Sequence, residues 1–75
     1  MNLKNSELHR DLKVLSLNIT EPKLMLRLYE LGIVPGFKIK ILNMSCLKKT
    51  MLIKVLDSCF IIKASVAEMI EVEYA

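Results

Sequence analysis

The 75-residue sequence has few of the residues from which catalytic and cofactor sites are built. It contains one histidine, two cysteines, two glycines, two tyrosines, two phenylalanines and no tryptophan. The two glycines, Gly32 and Gly36, are both explained as turn residues, so neither is left for a phosphate-binding loop. The single histidine, His9, has no acidic or nucleophilic partner at a fixed spacing, and so short a chain has no room for a large substrate cleft. We therefore predict no catalytic residue, no cofactor and no enzymatic activity.

The two cysteines indicate a reducing environment. Cys46 and Cys59 do not form a Cys-x-x-Cys pair, and a secreted domain of this size normally carries a denser set of disulfides. No apolar leader follows Met1, and the longest unbroken apolar run, residues 59–62, is far shorter than a membrane span. We expect a cytoplasmic protein that is not membrane-embedded, with reduced thiols and no bound metal.

The charge distribution argues against nucleic acid as a partner. Eleven basic and eight acidic residues give a net charge of +3. Only two of the basic residues are arginines, and the lysines are spread from Lys4 to Lys63. Proteins that bind nucleic acids usually cluster their basic residues and add arginines and aromatic residues at the contacts. We therefore expect the lysines to lie on solvated strand faces.

A single helix is predicted in the first half of the chain. Asn18 and Thr20 are candidate N-caps, and Pro22 suits the first helical turn, where its missing N–H costs nothing. Residues 23–31 are good helix formers, and Gly32 follows where a left-handed residue commonly ends a helix. The next residue, Ile33, is expected to fold back onto the helix.

The remaining pattern predicts short strands. Pro35 and Gly36 suit the central positions of a type II turn. Strict alternation from Phe37 to Ile41 predicts that Phe37, Ile39 and Ile41 are buried and that lysines line the other face. Strands are predicted near residues 13–19, 37–41, 51–56, 59–64 and 70–74, with an Asp57–Ser58 turn and a short helical turn at residues 65–68.

This order of elements predicts a mainly β fold. Five short strands in so few residues favour a small antiparallel barrel that hides its strand edges. The preferred architecture is an SH3-like barrel of about five strands, one helix and a short helical turn before the last strand; an OB-type barrel is the alternative. The barrel is assigned to residues 11–75, and residues 1–10 are interpreted as a polar lead-in.

The predicted helix is more apolar than its packing requires. At about 100° per residue, Leu24, Leu28 and Leu31 form one narrow stripe that suits a barrel core. The apolar arc then extends to about 220° around the helix. This arc is wider than the face that a single helix buries when it lies on a small barrel. The excess residues, Leu26 and Tyr29, either bind a partner or are covered by residues 1–10.

The ten residues from 27 to 36, RLYELGIVPG, resemble the signature of the ferrous iron transport protein A (FeoA) family. The residues that carry the resemblance are Arg27, Leu28, Leu31, Gly32, Pro35 and Gly36. The likeness continues into the following strand and returns near residues 60–63, although the family usually has arginine where Lys63 stands. The connection at residues 47–50 departs from the family pattern, which often has glycine with aspartate or asparagine and proline there.

The resemblance implies a function as well as a fold. It implies a small cytosolic SH3-like protein of bacterial ferrous iron uptake that binds and regulates the membrane transporter FeoB through the transporter's cytosolic part. The candidate contact residues are Leu26 and Tyr29, and Arg27 is expected to bond a loop carbonyl or a carboxylate. The family is associated with transition metal ions, but no ligand set here suggests that the chain holds iron. The oligomeric state stays open, a homo-oligomer included.

Two alternatives from other classes remain. The first is a barrel that binds nucleic acid through a set of lysines, Lys38, Lys40, Lys48, Lys49 and Lys54. The second is a metal-sensing module that uses His9, Cys46 and Cys59.

Overall fold

The computed structural model describes residues 1–75 and shows five antiparallel strands with one longer helix. In chain order the elements are a 3₁₀ turn (Leu3–Asn5), β1 (Leu12–Leu17), α1 (Pro22–Leu31), β2 (Lys38–Met44), β3 (Thr50–Val55), β4 (Ser58–Lys63), α2 (Ala64–Ala67) and β5 (Ile70–Tyr74). The strands lie in the order β4-β3-β2-β1-β5. The predicted mainly β fold, with one helix and a short helical turn before the last strand, is confirmed. Neither helix has the length and apolarity that crossing a bilayer demands.

Alternating residues of the strands build the core. On β2, Ile39 and Ile41 are buried, whereas the lysines between and before them face outward. On β3, Met51, Ile53 and Val55 are buried in the same alternating manner. The pairing register shifts once in β1 and once in β2. Such irregularities increase the local twist, which helps a short sheet to curl around its own core.

The N-terminus of α1 differs from the prediction. The N-cap residue is Glu21, its side chain makes no capping hydrogen bond, and Pro22 occupies the first turn. Asn18 and Thr20 are therefore not caps. The physical reason is that Asn18 is still bonded to the turn before β5, since its N–H donates to the carbonyl of Met69 at 2.7 Å.

The C-terminus of α1 has the predicted form. Gly32 adopts a φ of +95°, and its N–H donates to the carbonyl of Tyr29 at 3.0 Å. The N–H of Ile33 donates to the carbonyl of Leu28 at 2.9 Å, which completes a Schellman motif. Both Leu28 and Ile33 belong to the buried core, so the turn that ends the helix also fixes it on the barrel.

The turn after Ile33 leads directly into the sheet. Gly36 has a φ of +94°, and the N–H of Phe37 donates to the carbonyl of Val34 at 3.0 Å, as a type II turn requires. Phe37 was predicted to be buried, but it is exposed. It still belongs to the turn, because β2 begins only at Lys38.

The hairpin between β3 and β4 is shifted by one residue from the prediction. Val55 pairs with Ser58, so Leu56 and Asp57 form the two-residue loop. Leu56 has a φ of +56°, a left-handed conformation that is unusual for leucine. Asp57 and Ser58 have the stronger turn propensity, but the pairing of the strands decides which residues close the hairpin.

Residues 1–5 pack against the side of the domain formed by β5 and α2, and the N–H of His9 donates to the carbonyl of Ile41 in β2 at 2.8 Å. Leu3 is fully buried and belongs to the core. The ammonium group of Lys4 lies 2.8 Å from the carboxylate of Glu68, and the N-terminal amino group lies 3.3 Å from that of Glu71. This placement leaves the outer face of α1 uncovered.

Candidate partner-binding surface

The outer face of α1 exposes two large apolar side chains. Leu26 is 60% exposed and Tyr29 is 45% exposed. Residues three positions apart lie next to each other on a helix, so these two side chains form one patch, called here the Leu26–Tyr29 surface. Leu28 points to the opposite side and is buried, so the core holds the helix and its exposed face in place.

Charged residues surround the Leu26–Tyr29 surface. Lys23, Arg27 and Glu30 are all exposed. None of them forms an ion pair within the chain. The side chain of Arg27 also makes no hydrogen bond, so the expected bond to a loop carbonyl or carboxylate is not formed. The rim therefore offers two positive charges and one negative charge that are free to pair with another molecule.

The other residues of the ten-residue signature have structural positions. Leu28 is buried, and Leu31 is half-buried against the core. Gly32 ends the helix, and Gly36 is the left-handed residue of the following turn. Pro35 is exposed and precedes Gly36 in that turn. Folding therefore accounts for these residues of the signature. The outward residue Tyr29, together with Leu26 directly before the signature, is left as the candidate binding surface.

A second apolar region lies beyond the end of α1, and the sequence did not predict it. Leu56 is 65% exposed, and its Cδ1 atom lies 3.2 Å from the position that a Cβ atom on Gly32 would take. Leu56 and the exposed Phe37 line the same cavity. The only sequence signal was a leucine directly before Asp57-Ser58, which could equally end a buried strand.

The lysines of the nucleic-acid alternative fall into two groups. Lys38, Lys40 and Lys54 lie on the outer face of β2 and β3, where they line one cavity. Lys48 and Lys49 lie in the loop beyond the other end of β2. A strand of seven residues spans roughly 20 Å. The five lysines therefore do not form one continuous basic stripe.

The residues of the metal-sensing alternative are not assembled into a site. Cys46 and Cys59 are exposed free cysteines, and His9 is exposed in the N-terminal segment. No group of three or more histidine, cysteine, aspartate or glutamate side chains is placed to hold a metal ion. The geometry therefore gives this alternative no support.

Comparison with solved structures identifies proteins of the same fold. An FeoA protein from Chlorobium tepidum matches with a TM-score of 0.90 and 27% identity, over 99% of this chain and 70% of that one. The iron(II) transport protein A of Clostridium thermocellum matches with a TM-score of 0.90 and 24% identity. That match covers 99% of this chain, which spans only 45% of the Clostridium protein.

A third structure is the FeoA of Stenotrophomonas maltophilia in complex with zinc. It matches with a TM-score of 0.82 and 25% identity, over 97% of this chain and 89% of that one. That protein is described as an SH3 domain protein, which confirms the predicted SH3-like architecture. The sequence has no significant match among curated proteins.

The family model adds the decisive comparison. The model of the FeoA domain matches residues 1–74 and so includes the N-terminal segment. This match covers nearly the whole chain, and the FeoA structures described above share the fold of the chain. The chain belongs to the FeoA domain family, which is associated with ferrous iron transport.

Proposed function

We propose that this chain is a non-catalytic accessory protein of ferrous iron uptake that acts in the cytoplasm. In this proposal it binds the cytosolic part of the transporter FeoB through the Leu26–Tyr29 surface and regulates transport. Family membership supports the connection to iron transport. The Stenotrophomonas relative is described as a candidate activating factor of bacterial ferrous iron transport, which supports a regulatory role. Iron is then the cargo of the transporter and is not held by this chain.

The exposure of Leu26 and Tyr29 is the observation that carries the proposal. Exposed apolar side chains that lie side by side often mark binding sites. Fully burying one such side chain contributes about 1.5–3 kcal/mol. Since Leu26 and Tyr29 are each roughly half exposed, covering both would contribute about 2–3 kcal/mol. The charged rim around them would orient the partner.

The helix is a suitable platform for docking. Leu28 anchors it in the core, and the Schellman motif at Gly32 fixes its end. The two contact residues are therefore held on a rigid element, so binding would not have to order a flexible loop. A small module can in this way present one fixed apolar face to a larger protein.

Binding to the purified cytosolic part of FeoB, measured by calorimetry, tests the proposal. The test variant is Leu26→Asp with Tyr29→Asp. The control is Leu47→Asp with Ile61→Asp, since these residues are 75% and 73% exposed and lie outside α1. Both double variants add the same negative charge to exposed apolar positions.

We expect the helix variant to bind at least about thirtyfold more weakly, because it loses about 2 kcal/mol of apolar contact and buries two unpaired charges. The affinity of the control variant for FeoB should stay within about threefold of that of the wild type. Equal affinity of the wild type and the helix variant would eliminate the Leu26–Tyr29 surface as the contact. Absence of binding by the wild type would eliminate FeoB as the partner.

A further inference from the structure

Two pairs of lysines face each other across neighbouring strands. Lys40 of β2 is the direct partner of Lys54 on β3, and Lys38 of β2 is the direct partner of Lys13 on β1. Partners in an antiparallel pair point to the same face of the sheet, and like charges placed directly opposite each other destabilise it. Four positive charges on the outer face of three adjacent strands therefore reduce the stability of this domain.

The protein neutralises only part of this charge. Lys13 has Glu73 of β5 as its partner on the other side, and the ammonium group of Lys40 lies 3.2 Å from a carboxylate oxygen of Asp11. Lys38 and Lys54 form no ion pair within the chain. The ammonium groups of Lys38 and Lys54 thus remain available to an anionic ligand.

These two lysines share a cavity with apolar side chains. The cavity has a volume of about 530 Å³ and is lined by Lys38, Lys40, Lys54, Asp11, Phe37 and Leu56, together with Gly36 and Ile39. Small-ligand pockets usually measure about 300–1,000 Å³. Its lining combines positive charge with exposed apolar surface, which suits a ligand that carries both carboxylates and an apolar group.

We propose that this cavity, called here the lysine cavity, binds an acidic segment of a partner protein. Carboxylates of the segment pair with Lys38 and Lys54, and an apolar side chain packs against Phe37 and Leu56. The inference deepens the proposed function and rests on it only for the identity of the partner. Leu56 also packs over Gly32 at the end of α1, so the cavity adjoins the helix that carries the Leu26–Tyr29 surface.

An acidic segment fits this cavity better than a nucleic acid does. Asp11 pairs with Lys40 at 3.2 Å, so only Lys38 and Lys54 remain unpaired in the lining, which is too few positive charges to follow a nucleic-acid backbone. The lining contains no arginine and one aromatic residue, Phe37, whereas single-stranded nucleic acids require a continuous basic groove with several stacking platforms. Lys48 and Lys49 are at the other end of β2 and cannot extend the groove. A short peptide needs only the local charge that is present.

The probe for the test is a fluorescein-labelled peptide with the sequence Glu-Glu-Leu-Glu-Glu-Phe-Glu-Glu. A peptide in which every glutamate is replaced by glutamine and a labelled oligothymidine serve as comparisons. Anisotropy at low ionic strength measures affinity, and amide chemical shifts locate the site. The test variant is Lys38→Gln with Lys54→Gln. The control is Lys49→Gln with Lys63→Gln, two exposed lysines that lie outside both the cavity and the Leu26–Tyr29 surface.

We expect the acidic peptide to bind and to shift the amides of residues 36–40 and 54–56. The cavity variant should bind the peptide about tenfold more weakly than the wild type, since two ion pairs are lost. The affinity of the control variant should stay within about twofold of the wild type. The cavity variant should melt at the same or a higher temperature than the wild type, because the like-charge pairs are removed. Weaker binding could then not be attributed to unfolding.

Three results would overturn the inference: absence of binding, equal loss in both double variants, or tighter binding of oligothymidine than of the acidic peptide. These results are distinguishable from failure of the proposed function. If the acidic peptide binds but Leu26→Asp with Tyr29→Asp leaves FeoB binding intact, the lysine cavity stands and the proposed helix contact falls. The reverse pattern removes only the lysine cavity.

Discussion

Replacing Gly32 by alanine should destabilise the domain more than replacing Gly36 by alanine, although the two glycines have almost the same backbone angle. Their φ values are +95° and +94°. A left-handed conformation costs an L-residue about 1–2 kcal/mol, and this cost is common to both positions. Alanine also lowers the conformational entropy of the unfolded chain, which favours the folded state equally in both variants. The difference in the free energy of unfolding between the two variants therefore reports only the packing around Gly32.

The packing difference can be worked out from the surroundings. A Cβ atom on Gly32 would lie 3.1 Å from Cγ1 of Val55 and 3.2 Å from Cδ1 of Leu56, whereas a Cβ atom on Gly36 meets nothing within 4 Å. Leu56 is exposed and can move aside, but Val55 is only 1% exposed and cannot. Overpacking a core costs about 1–3 kcal/mol. We expect Gly32→Ala to lose about 1–2 kcal/mol more than Gly36→Ala.

Urea and thermal unfolding followed by far-ultraviolet circular dichroism would measure this difference, since the chain has no tryptophan. For a domain of this size 1 kcal/mol corresponds to about 4–8 °C in Tm, so the two variants should differ by about 5–15 °C. Equal unfolding midpoints would refute the argument that Val55 limits the space beside Gly32.

Three further perturbations have outcomes set by burial and charge. Leu3→Ala should lower the free energy of unfolding by about 2–4 kcal/mol in urea titrations, because the Leu3 side chain is fully buried. Lys54→Glu should raise it by about 0.5–1 kcal/mol, since a like-charge pair with Lys40 becomes an attractive one. Replacing the exposed Cys46 and Cys59 by serine should change stability by less than about 0.5 kcal/mol and leave zinc or iron titrations unaltered.

Matched variants show whether these reasons are correct. Asn5→Ala removes an exposed side chain from the segment that contains Leu3 and should have little effect. Lys63→Glu alters charge opposite the neutral Thr50 and should stabilise less than Lys54→Glu does. If Asn5→Ala destabilises the domain as much as Leu3→Ala, the burial of Leu3 is not the cause. If Lys63→Glu stabilises it as much as Lys54→Glu, repulsion across the strands is not the cause. A metal titration that the cysteine substitutions abolish would contradict the account of the thiols.

The sequence predicts the features that neighbouring residues determine. The helix follows from the period of its apolar residues, and its end follows from the left-handed conformation that Gly32 allows. The turn follows from the fixed φ of Pro35 and the glycine after it. The helical period also shows that the helix is more apolar than its buried stripe needs, with Leu26 and Tyr29 as the excess. These features need no knowledge of how distant parts of the chain meet.

Long-range pairing decides the features that the sequence does not predict. Leu3 appears in a polar stretch, and only its placement against the side of the barrel formed by β5 and α2 shows that it completes the core. The lysine cavity depends on the register that places Lys54 opposite Lys40, and β2 contains a shift that a sequence pattern does not reveal. The one-residue displacement of the β3–β4 loop exposes Leu56 for the same reason.

Titration of the isotope-labelled chain with the cytosolic part of FeoB, followed by amide chemical shifts, would show which surface binds the transporter. We expect saturable changes that are largest on α1 around Leu26 and Tyr29, with smaller changes beside Lys38 and Lys54 and no change on β4 around Ile61. Changes confined to β4, or no changes at saturating concentrations, would contradict this expectation.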